Sequence, residues 1–234
     1  MKSSVVLFGL ILSTQSFAQE KISATLYELN SKRAQKLYTL TIENSSSPEG
    51  TRTQTVYKDL EGNTVVQEQS LTNGEDLKDY TIDRPQTKEK GHIEVRDGKV
   101  YFEYEGSDGK KKVDDEKLKG KVLCPANFTA FVRSHWKELS NGEPVDIRYA
   151  VWFRRETVGF TLQKIDEPMI DGKKALQLRM KASSFVIAAL VDPIYLWYSQ
   201  DDKKLLQMKG RVLPQQKVNG KWKDLDAETV YGTN

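Results

Sequence analysis

Cysteine and histidine are nearly absent from this chain. Its 234 residues include one cysteine, Cys124, and two histidines, His92 and His135. A lone cysteine excludes an intrachain disulfide, so stability must come from a packed core. Zinc sites draw three or four ligands from His, Cys and carboxylates, and neither histidine stands in an H-E-x-x-H or related spacing. There is no Gly-rich phosphate loop and no G-x-S-x-G around any serine. Neither a metal nor a cofactor is therefore expected. Long apolar runs are also scarce, with apolar residues at 38%, charged residues at 29% and a formal net charge of +3. That balance excludes an integral membrane protein. Lys and Arg interleave with Asp and Glu, which argues against an electrostatic nucleic-acid binder.

The first residues carry a targeting signal. Lys2 supplies a positive start, Val5 to Leu12 a short apolar core, and Ser16-Phe17-Ala18 the small residues before a cut ahead of Gln19. The apolar core is under half of the roughly 20 residues a bilayer requires. No cysteine follows the cut to take a lipid. The expectation is a secretory signal peptide over residues 1–18 and one domain over 19–234. The product is then an exported, soluble, monomeric protein, periplasmic if the host has an outer membrane.

From Gln19 to Glu105 the pattern is period two, with turn residues between short segments. Strands are predicted at Ala24 to Leu29, Lys36 to Glu43, Thr51 to Lys58, Thr64 to Ser70, Leu77 to Ile82, Ile93 to Arg96 and Val100 to Tyr104. Glu61-Gly62-Asn63, Thr72-Asn73-Gly74 and Arg96-Asp97-Gly98 are hairpin turns, so neighbours run antiparallel. Thr51 to Thr55 has no large apolar residue, and one face of this sheet is expected to be wet. Gly106 to Lys121 is predicted as a solvated loop.

A helix follows. Phe128, Phe131, Val132, Trp136 and Leu139 form one apolar stripe, with Asn127 to cap it and Asn141-Gly142 to end it. Strand alternation then resumes, with Ile147, Tyr149 and Phe153 on one face and Arg148 and Trp152 on the other. Ser183 to Tyr198 is the one strongly apolar stretch of the mature chain. Each large side chain in it is worth roughly 1.5–3 kcal/mol when buried, so it belongs in a core or a ligand wall. Pro193 divides it into a short helix at Ser184 to Val191 and a strand at Ile194 to Tyr198 that is apolar on both faces. From Pro214 onward the tail is polar and is expected to be loosely docked.

Few groups suit catalysis. Cys124 and His135 would lie about 16 Å apart along a regular helix, too far for a thiolate–imidazole pair. The carboxylate pairs Asp114-Asp115, Asp166-Glu167 and Asp201-Asp202 fall where turns or loops are expected. The aromatic residues of the second half are the better clue to a binding surface.

The order Trp136-Lys137-Glu138-Leu139, Tyr149 to Arg154, Met180 to Phe185, Leu190 to Ile194, Leu205-Leu206 and Gly210-Arg211 resembles an uncharacterised family of exported bacterial β-rich proteins. That resemblance implies a fold similar to the half-barrel of periplasmic lipoprotein carriers, and no catalytic residues. The expected fold is mostly β, a curved antiparallel meander sheet or half-barrel wrapped around one or two short α-helices. The expected function is non-enzymatic carriage of a lipid-like or other hydrophobic molecule, with Phe128, Phe131, Trp136, Phe185, Ala189, Tyr195 and Trp197 lining the site. Two alternatives stand beside it: docking of an envelope protein through Trp152 and Trp197, and an envelope hydrolase using Cys124 or a carboxylate pair.

Overall fold

Alternating segments too polar to form a thick core of their own are joined here by tight turns into one continuous sheet. The computed structural model describes residues 20–189 and 191–232, with backbone alone at 185 and 186. The predicted signal segment lies outside the described residues.

The first half is a meander of β1 (Glu20–Glu28), β2 (Lys36–Ser47), β3 (Gly50–Lys58), β4 (Thr64–Asn73), β5 (Asp76–Arg84), β6 (Glu89–Arg96), β7 (Lys99–Glu105) and β8 (Lys111–Lys117). A short β9 (Val122–Leu123) leads into α1 (Pro125–Ser134) and α2 (Trp136–Ser140). The second half holds β10 (Val145–Val151), β11 (Glu156–Asp166), β12 (Met169–Ile170), β13 (Lys173–Ala182), one turn of helix α3 (Phe185–Ala188), β14 (Ile194–Ser199), β15 (Leu205–Val218) and β16 (Lys221–Tyr231). The sheet is 16-stranded, in the order β8-β7-β6-β5-β4-β3-β2-β1-β16-β15-β14-β13-β11-β10-β9, with β12 against β13. Its described pairs are antiparallel except β9 with β10. The fold is thus the expected curved, mostly antiparallel sheet around short helices.

Three local expectations are corrected. Lys111–Lys117 is a strand within the predicted loop, paired to β7 from Lys99↔Lys117 to Glu105↔Lys111. Every one of its residues except Val113 is charged, which suits an edge strand that must not recruit another chain. The polar tail is also strand: β15 and β16 form a hairpin over Asn219 and Gly220, both at positive φ, and β16 pairs with β1. The C-terminal strand therefore joins the two halves of the sheet.

The predicted helix is two. Asn127 lies inside the first turn, where its side chain accepts from the Cys124 backbone N–H at 2.8 Å and donates to the carbonyls of Val122 and Glu75. His135, at φ −101° and ψ 21°, leaves the helical conformation, and Ser134 Oγ donates to the Phe131 carbonyl. Such side-chain bonding back onto the preceding turn competes with helix continuation.

The sheet curls until its ends meet. Arg155 Nε, just after β10, donates to Asp114 of β8 at 2.8 Å, and the Thr157 N–H of β11 donates to Glu116 at 3.2 Å. On the concave side, Val122, Cys124, Ala150 and Trp152 pack in one cluster with Val66, Tyr80, Ile82, Ile93 and Phe102 of the first half. Trp152 was expected on the outer side of its strand. The strand ends at Val151, and the following turn swings Trp152 inward to 4% exposure while Phe153 faces out.

Gly91 makes room for that indole. A Cβ there would stand 2.6 Å from Trp152 Cε3 and 3.0 Å from Ile82 Cγ2. Gly91→Ala should destabilise the protein by about 1–3 kcal/mol, the usual range for overpacking. Gly159→Ala, whose Cβ would meet nothing nearer than 3.6 Å, should stay within about 0.5 kcal/mol of wild type. Urea denaturation midpoints of the two variants check this.

Candidate functional site

The concave side carries two chemistries. Around the helices it is apolar: Phe128 and Phe131 of α1 and Leu139 of α2 pack with Phe160, Leu162, Leu178, Met180, Leu196 and Tyr198, and Trp136 is partly buried against them. Ile187 and Ala188 of α3 pack on the same cluster. Strand periodicity places Leu196 and Tyr198 on this inner side and sends Tyr195 and Trp197 to the other. There they pack with Ala175, Leu206 and Ile170. The two-sided strand is as expected, but its outer side faces away from the helices.

That outer side is bordered by a polar network that the sequence did not suggest. Arg33, in the β1–β2 loop at φ 65°, donates to Glu228 at 2.9 Å and to Gln207 at 3.2 Å. Lys209 reaches both Glu228 and the ring of Trp197.

Of the seven expected site residues, then, Phe128, Phe131 and Trp136 come together. Tyr195 and Trp197 do not join them, Ala189 is exposed, and the side chain of Phe185 lies outside the described residues. The docking patch of Trp152 and Trp197 is corrected too, since the pair are 4% and 8% exposed and belong to different clusters.

Toward the first half the interior turns polar. Thr53 and Thr55 of β3 and Glu68, Ser70 and Thr72 of β4 are all buried, so the inward face carries hydroxyls and a carboxyl while Arg52, Gln54 and Lys58 lie on the wet face. Glu68 sits between Thr55 and Ile82 in the ladder. Its Oε1 accepts from the Tyr80 hydroxyl at 2.6 Å. Its Oε2 has no partner among the described residues, and neither have Ser70 Oγ and Thr229 Oγ1. Burying such groups without partners costs about 1–3 kcal/mol each, so three in one interior need a reason.

Electrostatics follow from that enclosure. Burial lifts the Glu68 carboxyl to about 7, with the Tyr80 hydrogen bond pulling the other way. Burial, then the charge of Glu68, pushes the phenols of Tyr57 and Tyr80 well above their ordinary range. Tyr149 is raised by burial, then by Cys124 and Glu68. Tyr149 also joins the two regions, with its ring 6.4 Å from Phe128 and 6.3 Å from Phe160. Tyr149 and Tyr231 retain some accessible surface although protein encloses their hydroxyls.

This chemistry suits hydrogen bonding better than nucleophilic attack. Burial pushes the Cys124 thiol up to about 12, and Cys124 and His135 cap opposite ends of α1. His135 stacks on Phe131 at 4.1 Å. All three carboxylate pairs are exposed, and Asp114 and Asp115 are engaged by Arg155 and Lys99. Among the described residues no group of three or more His, Cys, Asp and Glu is arranged to hold a metal.

Glu68 makes stability depend on pH in a definite direction. A carboxyl raised from 4.5 to about 7 binds more protons folded than unfolded between those values. Its contribution is therefore fully present below about pH 4.5 and is lost as pH rises to about 7, by roughly 3 kcal/mol in all. Glu68→Gln should flatten the denaturation free energy across this window and be more stable than wild type near pH 8. An unchanged pH profile in the variant would contradict the assignment.

No family model matches the chain, and no curated protein does. Two solved structures are similar to it. One is a putative outer membrane lipoprotein-sorting protein domain from Vibrio parahaemolyticus, with 8% identity, 91% of this chain and 81% of that one covered, and a TM-score of 0.28. The other is a LolA superfamily protein from Nitrosomonas europaea, with 8% identity, 93% and 86% covered, and a TM-score of 0.29. Neither likeness, at that identity and superposition, bears on what this chain binds.

Proposed function

We propose that this protein is a non-enzymatic carrier of the cell envelope that holds a lipid-like molecule between its curved sheet and its helices. The observation that carries the proposal is the interior itself, where an aromatic, helix-lined region meets buried hydroxyls and a carboxyl oxygen that have no partner among the described residues. A core built only for stability gains nothing from such atoms, whereas a ligand site needs a few polar groups in apolar walls. Phe128, Phe131 and Trp136 form the apolar wall. The single turn of α3, packed on this cluster through Ile187 and Ala188, is its cover. The accessible surface left on Tyr149 and Tyr231 marks where the molecule enters between the two chemistries.

Residues 1–18 have the character of a secretory signal, which supports a periplasmic carrier in a two-membrane host. Among the described residues no helix is long and apolar enough to cross a membrane.

Native mass spectrometry of protein purified from its own envelope tests the proposal, together with organic extraction of the same sample. The expected result is an apolar molecule released at up to one per chain, and uptake of a fluorescent fatty-acyl probe by the extracted protein. Protein that carries nothing and takes up no probe would overturn the reading.

A further inference from the structure

Among the described residues Glu68 has no counter-charge, and one side chain, Tyr80, bonds to it. The titratable groups around it are Tyr57 on β3, Tyr80 on β5, Tyr149 on β10, Tyr231 on β16 and Cys124 at the start of α1. The buried cation on the same face of β5, Arg84, is bonded to Glu89 instead. The charged partner that an enclosed carboxylate normally requires is missing from the described part of the chain, while its Oε2 remains open. Ser70 and Thr229 add hydroxyl oxygens with unused capacity.

An anionic head group would meet an uncompensated carboxylate here, and a purely apolar one would leave all three oxygens unpaired. An ammonium group would supply the missing charge and donate to Glu68 Oε2. Tyr149, in edge contact with Phe128 and Phe160, runs from this polar end to the apolar wall. The two ends together match an amphiphile with a cationic head.

Resting on the carrier reading, we infer that the site selects an amphiphile bearing a primary ammonium head group, which donates to Glu68 Oε2 while the chain lies against Phe128 and Phe131. Nothing covalent is involved. The ammonium supplies the missing positive charge and keeps Glu68 ionised.

The test uses the mature protein, stripped of bound lipid, and three probes of equal chain length: decylamine, decanol and decanoate. Each competes against a fluorescent acyl probe below its micelle threshold. Near pH 8 decylamine should compete at about tenfold lower concentration than decanol, equivalent to about 1.4 kcal/mol, and decanoate should be the weakest of the three. In Glu68→Gln the preference of amine over alcohol should shrink to within about twofold. If that variant fails to fold, wild type compared near pH 5.5 and pH 8.5 serves instead. Protonating Glu68 should remove the preference for the amine, which stays charged throughout.

A preference that survives Glu68→Gln or low pH would overturn the head-group assignment while leaving the carrier reading intact, as would tighter binding of decanoate. Binding of none of the three would overturn the carrier reading and the assignment with it.

Discussion

A single sheet of this length has to bury its concave face against itself. The chain is 38% hydrophobic, and its described residues include two short helices and one further helical turn to lay on a sheet of sixteen strands. The helices cover the second half, and the first half is covered by the start of α1 and by the turn after β10. Trp152 is the central piece of that contact. It stands on Gly91, has the Arg84 guanidinium 5.1 Å from its ring and lies 5.8 Å from Tyr104. Where the sheet edges meet, Asp114 and Glu116 of β8 bond to Arg155 and Thr157, so closure there rests on side chains and not on a strand ladder.

Closure turns an ordinary sequence feature into an unusual environment. On an open sheet, the row Glu68, Ser70 and Thr72 would be a wet face. Once the second half folds over it, Glu68 is left 3% exposed with one bonded and one unbonded oxygen. The same closure places Cys124 and four tyrosines around it, and burial raises the pKa of each. The apolar half is built on Phe128 and Phe131, with Phe160, Leu178, Met180 and Leu196 around them. The binding proposal rests on the junction of the two at Tyr149.

Much of the architecture was legible in the sequence. The first seven strands were visible from alternation and from Asp97-Gly98-type turns, and the helical stripe of Phe128 and Phe131 was visible from its spacing. What escaped did so for physical reasons. The hairpin of β15 and β16 carries an Asn219-Gly220 turn, a strong signal, but the strand residues flanking that turn are mostly polar. β8 is almost wholly charged because it is an edge, and charge alone looks like a loop. Trp152 broke the alternation because its strand ends one residue earlier. Of the residues expected at the site, Phe128, Phe131 and Trp136 fall in one cluster. Tyr195 and Trp197 were assigned to it because a two-sided strand does not say which side faces the helices. Glu68 was missed because polar residues on a strand are assumed to face water, an assumption that fails when a sheet closes on itself.

The account depends on Glu68 being enclosed by both halves of the chain, and its ionisation can be followed directly. Infrared difference spectra between wild type and Glu68→Gln, recorded from about pH 4 to pH 9, isolate the carboxylic C=O band of this one group. A band that persists through pH 6 and titrates near 7 is the predicted result. A band lost near 4.5, the ordinary carboxyl value, would mean that water reaches Glu68 and that the sheet does not close over it.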